Sequence, residues 1–284
     1  MDSAYRKAYA DATKKHYGKA FMRQLSSLND NYTGISESFF DAQYSNYAIL
    51  GWSPTQARFS KSGKNIALTN FSFISFASIG YLSSSVFATP LSRIATQIYN
   101  FKLEGFIKDG ADDIAIIDCQ IKDKKAGPKN MYFEGCYYIN TTNFNVSRIQ
   151  GFVRNFKINS KGPVKLDALD SPIDAIYANS ADEGLSTLKY VNLTVNARIK
   201  YAGLVGGGKL TYNSQIFLLE ENDTLSGAPF IALNLASNDV ETLEGVAYDP
   251  EFWINNPIIK RTPVEEEVIR NFEKKKVLGN YFDK

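Results

Sequence analysis

Hydrophobic and polar positions alternate most clearly between residues 111 and 153, where the pattern predicts three consecutive antiparallel strands. The first strand is rich in isoleucine and ends at the polar stretch 122–130, where a Gly-Pro pair predicts a chain reversal. The second strand covers residues 131–139, and after a polar turn at 140–143 the third strand starts at Phe144. This meander predicts a curved sheet with one solvated face.

Two long hairpins flank the meander. Residues 19–28 and 33–44 are predicted strands on either side of an Asn-Asp-Asn turn. Residues 188–202 and 209–221 are predicted strands joined by the glycine triplet 206–208. A phosphate-binding loop would need a helix after that triplet, and the strand-like run that follows it favours a hairpin turn.

Several segments are less regular. Residues 47–59, interrupted by a glycine and a proline, are predicted to cross between strands, and residues 66–76 to form another strand. The serine-rich stretch 77–90 is predicted to be a flap over one mouth of the sheet. Residues 99–104 alternate as a strand does, and residues 167–182 are predicted to be a polar connection.

Helical patterns lie at the two ends of the chain. Residues 2–16 are rich in alanine, and residues 263–276 carry glutamates early and lysines late, with Thr262 as the predicted N-cap. The fold class is therefore mostly β: a curved antiparallel sheet or half-barrel with helices at the N- and C-termini. We divide the chain into an N-terminal helix (1–18), a β domain (19–247) and a C-terminal aromatic segment with its helix (248–284).

Composition excludes several classes of protein. The 284 residues are 44% hydrophobic and carry 32 Lys plus Arg against 30 Asp plus Glu, so the net charge is +2 and no basic block marks a nucleic-acid site. No apolar run reaches the roughly 20 residues that a membrane helix needs. The N-terminus lacks a secretory core, which leaves open a cytosolic protein or a chain stripped of its leader.

Residues that carry chemistry are few. His16 is the single histidine, so a metal cluster or a Ser-His-Asp triad would have to be built on it. Nothing nearby in the sequence has ligand spacing, so we expect His16 to be a surface residue, and we expect no metal and no cofactor. Three carboxylate pairs could in principle serve a hydrolase, but each lies in a polar turn where a carboxyl group keeps its ordinary pKa. These pairs are Asp112 with Asp113, Asp167 with Asp170, and Asp182 with Glu183.

Cys119 and Cys136 fall on the two arms of the central hairpin. A cross-strand disulfide is geometrically possible, but a register shift of one residue would point the two side chains to opposite faces. Two unpaired thiols packed as small apolar groups are the favoured interpretation.

Aromatic residues are the one peculiarity of the composition, with 17 tyrosines and 19 phenylalanines. If the strands pair in one of the possible registers, four of these aromatics would line the concave face as ligand-binding residues: Phe101, Phe133, Tyr137 and Phe144. The alternative is that they are core residues beneath the helices and the flap, since aromatics in strands usually pack.

Four stretches carry a resemblance to a known family. They read NDNYTGISESFFDAQYSNYAILGW, EGFIKDGADDIAIIDCQIK, FEGCYYINTTNFNVSRIQGFV and YDPEFWINNPIIKRTPVEEEVIRNFEKKKVLGNYF. Together they resemble the region that follows the carboxypeptidase-regulatory-like domain in envelope proteins of the Bacteroidetes. The resemblance implies an exported, periplasmic or outer-membrane-associated protein whose leader and regulatory domain precede this chain. It implies no peptidase activity.

These considerations give three hypotheses about function. The first is a non-catalytic envelope binding or assembly module linked to outer-membrane uptake machinery, with Trp52, Phe252 and Trp253 as partner contacts. The second is a carrier of a lipid-like ligand, because the sheet pattern is similar to that of lipoprotein-carrier folds, in which a half-open barrel holds acyl chains. The third is a carboxylate-based hydrolase. Fold analogy alone does not decide between them.

Overall fold

The structure is a computed structural model that describes residues 1–60, 87–122, 131–155, 164–179, 186–201, 207–233, 239–246, 248–256 and 261–279. Its helices are α1 (Asp2–Asp11), α2 (Ala95–Ile98), α3 (Asp239–Glu244), α4 (Pro250–Asn255) and α5 (Pro263–Lys274), with a 3₁₀ helix at Asp223–Gly227. The predicted strand 66–76 and most of the predicted flap 77–90 lie outside the described residues.

The strands form one sheet. Their bounds are β1 (His16–Leu28), β2 (Asn31–Ser45), β3 (Ala48–Ser60), β4 (Phe87–Ala88), β5 (Tyr99–Asp109), β6 (Asp112–Ile121), β7 (Met131–Asn140), β8 (Val146–Arg154), β9 (Val164–Ala168), β10 (Ser171–Asn179), β11 (Ser186–Tyr201), β12 (Lys209–Glu221), β13 (Ile231–Ala232) and β14 (Leu278–Gly279). The order is β13-β3-β2-β1-β12-β11-β10-β8-β7-β6-β5, with β14 on β3, β4 on β7 and β9 on β11. Neighbours along this order are antiparallel, and β4 pairs with β7 in parallel. The expected mostly-β fold with an antiparallel sheet and helices at both ends is confirmed.

One face of the sheet, here called the inner face, carries the main hydrophobic core. Alternate residues of β11, from Val191 to Ile199, point into this core, as their sequence pattern predicts. Helix α1 contributes Ala4 and Ala8 to the same cluster. Part of the inner face is therefore covered by α1, and the burial of this core supplies most of the driving force for folding.

The opposite, outer face is covered in part by the C-terminal helix. Val268, Ile269 and Phe272 of α5 pack against Leu25 of β1 and Ile35 of β2. The helix begins with the predicted Thr262 cap, whose side chain accepts from the Glu265 N–H while the Glu265 carboxylate accepts from the Thr262 N–H. This capping box fixes where the helix starts over the sheet.

Three expectations about elements need correction. Helix α1 ends at Asp11, and the chain is extended from His16, because β1 continues toward the N-terminus to pair with β2. Residues 47–59 are not a crossing segment but strand β3, which accommodates Pro54 at a register shift opposite Phe39 and Phe40. The predicted polar connection 167–182 contains a strand, β10, which pairs with β8 on one side and β11 on the other.

The two cysteines lie one residue out of register. Cys119 pairs with Gly135, and Cys136 pairs with Asp118, so the two side chains point to opposite faces. Both thiols are free, and Cys119 is fully buried. The favoured interpretation of two unpaired thiols is confirmed.

Candidate functional site

The four predicted ligand-binding aromatics do not share one wall. Phe133 and Tyr137 lie together on the inner face with ring centroids 5.3 Å apart, and each is 1% exposed. Phe101 is half-buried and stacks on Tyr99 at 6.1 Å. Phe144 is not the first residue of a strand, because it lies in the β7–β8 turn at φ 62° and is 43% exposed. The centre of the inner face is thus packed with protein, while Phe101 and Phe144 lie nearer its margin.

The three predicted partner contacts make contacts within the chain. Trp52 is 2% exposed and packs edge-on against Phe40 in the core. Trp253 of α4 is 5% exposed and lies between Phe39, at 5.6 Å between ring centroids, and the guanidinium of Arg58. Phe252 is half-buried and meets the edge of Phe39 at 5.2 Å. The tail around Phe252 and Trp253 therefore docks on the outer face of its own sheet.

Strand β5 is the last strand of the sheet, and no described strand pairs with its outer edge. Its apolar side chains are unusually open: Leu103 is 54% exposed, Phe106 59% and Ile107 46%. Register places Leu103 beside Ile117 and Phe106 beside Ala115, on the inner face beyond the closed core. Phe101 lies on the same face, and we call Phe101, Leu103 and Phe106 the β5 patch; Ile107 follows Phe106 directly and points to the outer face. Contiguous exposed apolar groups of this kind mark interaction surfaces.

Charged residues flank the β5 patch. The Lys102 ammonium lies 2.9 Å from Glu104, and the hydrogen bond to that carboxylate raises the pKa of Lys102. Lys108 pairs with Asp113 at 2.8 Å. Glu104 is also the extra residue of a β-bulge between Leu103 and Gly105. Lysines and bulges commonly protect free edges from uncontrolled pairing.

Sequence reasoning found only Phe101 of this patch. The alternation of residues 99–104 was visible, but the bulge at Glu104 shifts the side-chain alternation, so Phe106 follows Leu103 on the inner face. The exposed positions also depend on β5 being an edge strand, which no local pattern reveals. One sequence signal for the patch was available: Phe106 and Ile107 are apolar residues in a segment that is rich in charged residues, from Lys102 to Asp109.

Of the carboxylate pairs considered for a hydrolase, three described members are ion-paired with basic side chains. Asp113 pairs with Lys108, Asp167 with Lys200 and Asp170 with Arg154. Residues 182 and 183 lie outside the described residues. His16 opens β1, half-buried, and stacks on Tyr44. Across the described ranges, no group of three or more His, Cys, Asp or Glu could hold a metal ion.

Four carboxylates are buried in the described part of the chain, Asp11, Glu37, Glu134 and Glu265, and two of them, Glu37 and Glu265, share Arg23. Glu37, which is fully buried, accepts from Arg23 and Arg58 at 2.6 Å each. Glu265 of α5 lies 3.3 Å from the Arg23 guanidinium. We call these four residues the ionic cluster (Arg23, Glu37, Arg58 and Glu265). Its ion pairs connect β1, β2 and β3 to the first turn of α5, so the cluster holds the helix on the sheet.

Comparison with solved structures gives distant likenesses. No family model and no curated protein matches the chain. Among solved structures, it is similar to a LolA superfamily protein from Nitrosomonas europaea, at 10% identity and TM-score 0.27, covering 79% of this chain and 96% of that chain. It is similar to a DUF1329 family protein from Desulfovibrio piger, at 11% identity and TM-score 0.30, covering 80% and 95%. It is also similar to an outer membrane lipoprotein-sorting protein domain from Vibrio parahaemolyticus, at 9% identity and TM-score 0.29, covering 84% and 94%.

At identities and TM-scores this low, the likenesses carry no inference about function. None of the helices in the described ranges is both long and apolar enough to cross a membrane.

Proposed function

We propose that this chain is a non-catalytic binding module, and that it recognises an extended segment of a partner polypeptide at the β5 edge. The observation that carries the proposal is the β5 patch itself, where an unpaired strand edge coincides with two exposed apolar side chains on one face, Leu103 and Phe106. An added strand would gain main-chain hydrogen bonds from the edge and side-chain specificity from the patch.

The sequence resemblance to Bacteroidetes envelope proteins suggests where the partner should be sought. We propose that the module acts in the cell envelope, in the periplasm or at the outer membrane, and that the partner belongs to the outer-membrane uptake machinery. This part of the proposal depends on the quoted sequence stretches alone.

A test uses random peptides displayed on phage and selected on the purified protein. We expect the selected peptides to share an alternating apolar pattern, because only every second side chain of an added strand faces the patch. Phe106→Lys and Leu103→Lys should each weaken binding of the selected peptides at least about tenfold, since central apolar anchors dominate such interfaces.

Ile254→Lys is the matched control, because Ile254 of α4 is an equally apolar residue, 80% exposed, on the tail at the other side of the molecule. It should leave peptide affinity unchanged. Enrichment of no peptide, or of peptides that bind the β5 variants and the wild type equally, would show that the patch is not the recognition surface.

A carrier of an apolar ligand is the second candidate. The observation in its favour is that Leu103 and Phe106 leave apolar surface open on the inner face next to the half-buried Phe101. Native mass spectrometry of the protein purified from its own envelope, run beside a denatured sample, distinguishes the two candidates. A lipid-sized mass that is lost on unfolding supports the carrier, and a ligand-free mass excludes a tightly held ligand.

A further inference from the structure

The outer face of the sheet carries a row of polar side chains that lie directly opposite one another on neighbouring strands. In the half that is away from α5, the row consists of Gln215 on β12, Asn192 on β11, Asp174 on β10 and Gln150 on β8. Neighbouring strands lie about 4.8 Å apart, so the row offers hydrogen-bonding groups at regular, closely spaced intervals. We call these four residues the amide row, since three of them are amides.

A groove of about 570 Å³ runs beside the amide row. Its lining includes Gln120, Glu134, Gln150, Phe152, Asp174 and Asn192. Gly135 and Gly151 face each other across β7 and β8 and contribute backbone without side chains. A volume of this size falls within the range of small-molecule sites, roughly 300–1,000 Å³.

The charges that line the groove are already paired. Asp174 accepts two hydrogen bonds from Arg148, at 2.8 and 2.6 Å, and Glu134 accepts one from Arg154 at 3.2 Å. Arg154 also pairs with Asp170. An ionic ligand would have to displace these partners, so the groove favours a neutral one.

Two amides of the groove, Asn192 and Gln150, have free donors, whereas Gln120 donates to Asp118 at 3.0 Å. The Asn192 side-chain oxygen accepts from Asn213 at 2.8 Å, and the Gln150 oxygen accepts from the Tyr138 hydroxyl at 3.4 Å. These contacts orient both amides and leave their NH₂ groups, each with two donors, without a protein acceptor among the described residues. The paired carboxylates keep lone pairs that can accept further hydrogen bonds. Such a surface suits hydroxyl groups, which both donate and accept.

Phe152 adds an apolar platform among these polar groups. Its ring is 41% exposed, and the Arg154 guanidinium lies 4.7 Å from the ring centroid. A ligand with hydroxyls around its rim and an apolar ring face would use both features at once. We propose that this groove binds a neutral carbohydrate, with Phe152 stacking on a sugar ring and Gln150 and Asn192 donating to its hydroxyls.

The experiment is isothermal titration of the full chain with neutral hexasaccharides of glucose, xylose and mannose, and with an acidic oligogalacturonate for comparison. At least one neutral hexasaccharide should bind at millimolar or lower concentration, and the acidic one should bind more weakly. Gln150→Ala and Phe152→Ala should each weaken binding about tenfold, the loss typical of a central contact.

Gln97→Ala and Tyr9→Ala are the matched controls, since both side chains are exposed and lie outside the groove. Both should leave sugar affinity unchanged, and thermal unfolding followed by circular dichroism checks that every variant is folded. Binding of no neutral sugar, tighter binding of the acidic one, or equal affinity in the groove variants and the wild type would overturn the proposal. Peptide binding at β5 is measured separately, so failure of either proposal is distinguishable.

Discussion

Replacing Glu37 by Gln should destabilise the protein more than the replacement of any exposed carboxylate. Glu37 is fully buried and is the acceptor for both Arg23 and Arg58, at 2.6 Å each. In Glu37→Gln, Arg23 keeps the Glu265 carboxylate at 3.3 Å, but Arg58 has no other carboxylate partner among the described residues and keeps the face of Trp253, 4.4 Å from its guanidinium carbon. A buried guanidinium is thus left without a carboxylate.

The expected cost follows from that unpaired charge. Removing one partner of a buried ion pair costs about 3–5 kcal/mol, because the remaining charge is still desolvated. The total free energy of unfolding of a domain is about 5–15 kcal/mol, so the loss is a large part of it. With a urea dependence of about 2–3 kcal/mol per molar, the unfolding midpoint should fall by roughly 1–2.5 M.

The assay is urea unfolding followed by far-ultraviolet circular dichroism at neutral pH. Glu220→Gln is the control, because Glu220 pairs with Lys19 at 3.1 Å and both side chains are more than half exposed, at 53% and 54%. An exposed pair contributes about 0–1 kcal/mol. Glu37→Gln combined with Arg58→Met should recover part of the loss, because the unpaired charge is removed. A loss no larger than that of Glu220→Gln, or fully additive losses in the double variant, would refute this reasoning.

Two further predictions concern ionisation. Burial raises the pKa of Tyr47 to about 12, against about 10 in an unfolded chain, so the unfolded state loses its proton first and stability should fall as pH rises from about 10 through 12. Tyr47→Phe should make this decline shallower in urea midpoints measured across that range, and an unchanged slope would contradict the assignment. Burial also raises the pKa of both thiols, but only Cys119 is fully enclosed, so a thiol reagent should modify Cys136 in the folded protein and Cys119 only after unfolding. Equal rates for the two thiols would exclude that arrangement.

Most of the fold could be predicted from the sequence because its strands alternate cleanly and its turns carry strong signals. The Asn29-Asp30 turn shows why: both residues have positive φ, at 50° and 63°, as a tight hairpin turn requires and as Asn and Asp tolerate. The misassigned strands β3 and β10 both contain a proline, which in a single sequence favours a break. Here sheet neighbours on both sides and a register shift at Pro54 outweigh that local preference.

The candidate sites could be predicted only in part, since each depends on which strands become neighbours. Phe101, Phe133 and Tyr137 were placed correctly on strands, but which of them is covered depends on the whole core. The amide row joins residues up to 65 positions apart, from Gln150 to Gln215. The row depends on the pairing of strands, and no periodic pattern along the sequence predicts it.

The ionic cluster and the amide row belong to one continuous line of polar side chains across the outer face. The line runs Arg58, Glu37, Arg23, Gln215, Asn192, Asp174, Gln150, Cys136, Asp118 and Lys102, each directly opposite the next. Helix α5 covers its β1–β2 end, where burial demands that charges be paired with charges. Beyond Gln215 the line is open and water can satisfy amides, so donors are left for a ligand. The position of α5, fixed by its capping box and by Arg23, therefore decides which part of the line is structural and which part is available for binding.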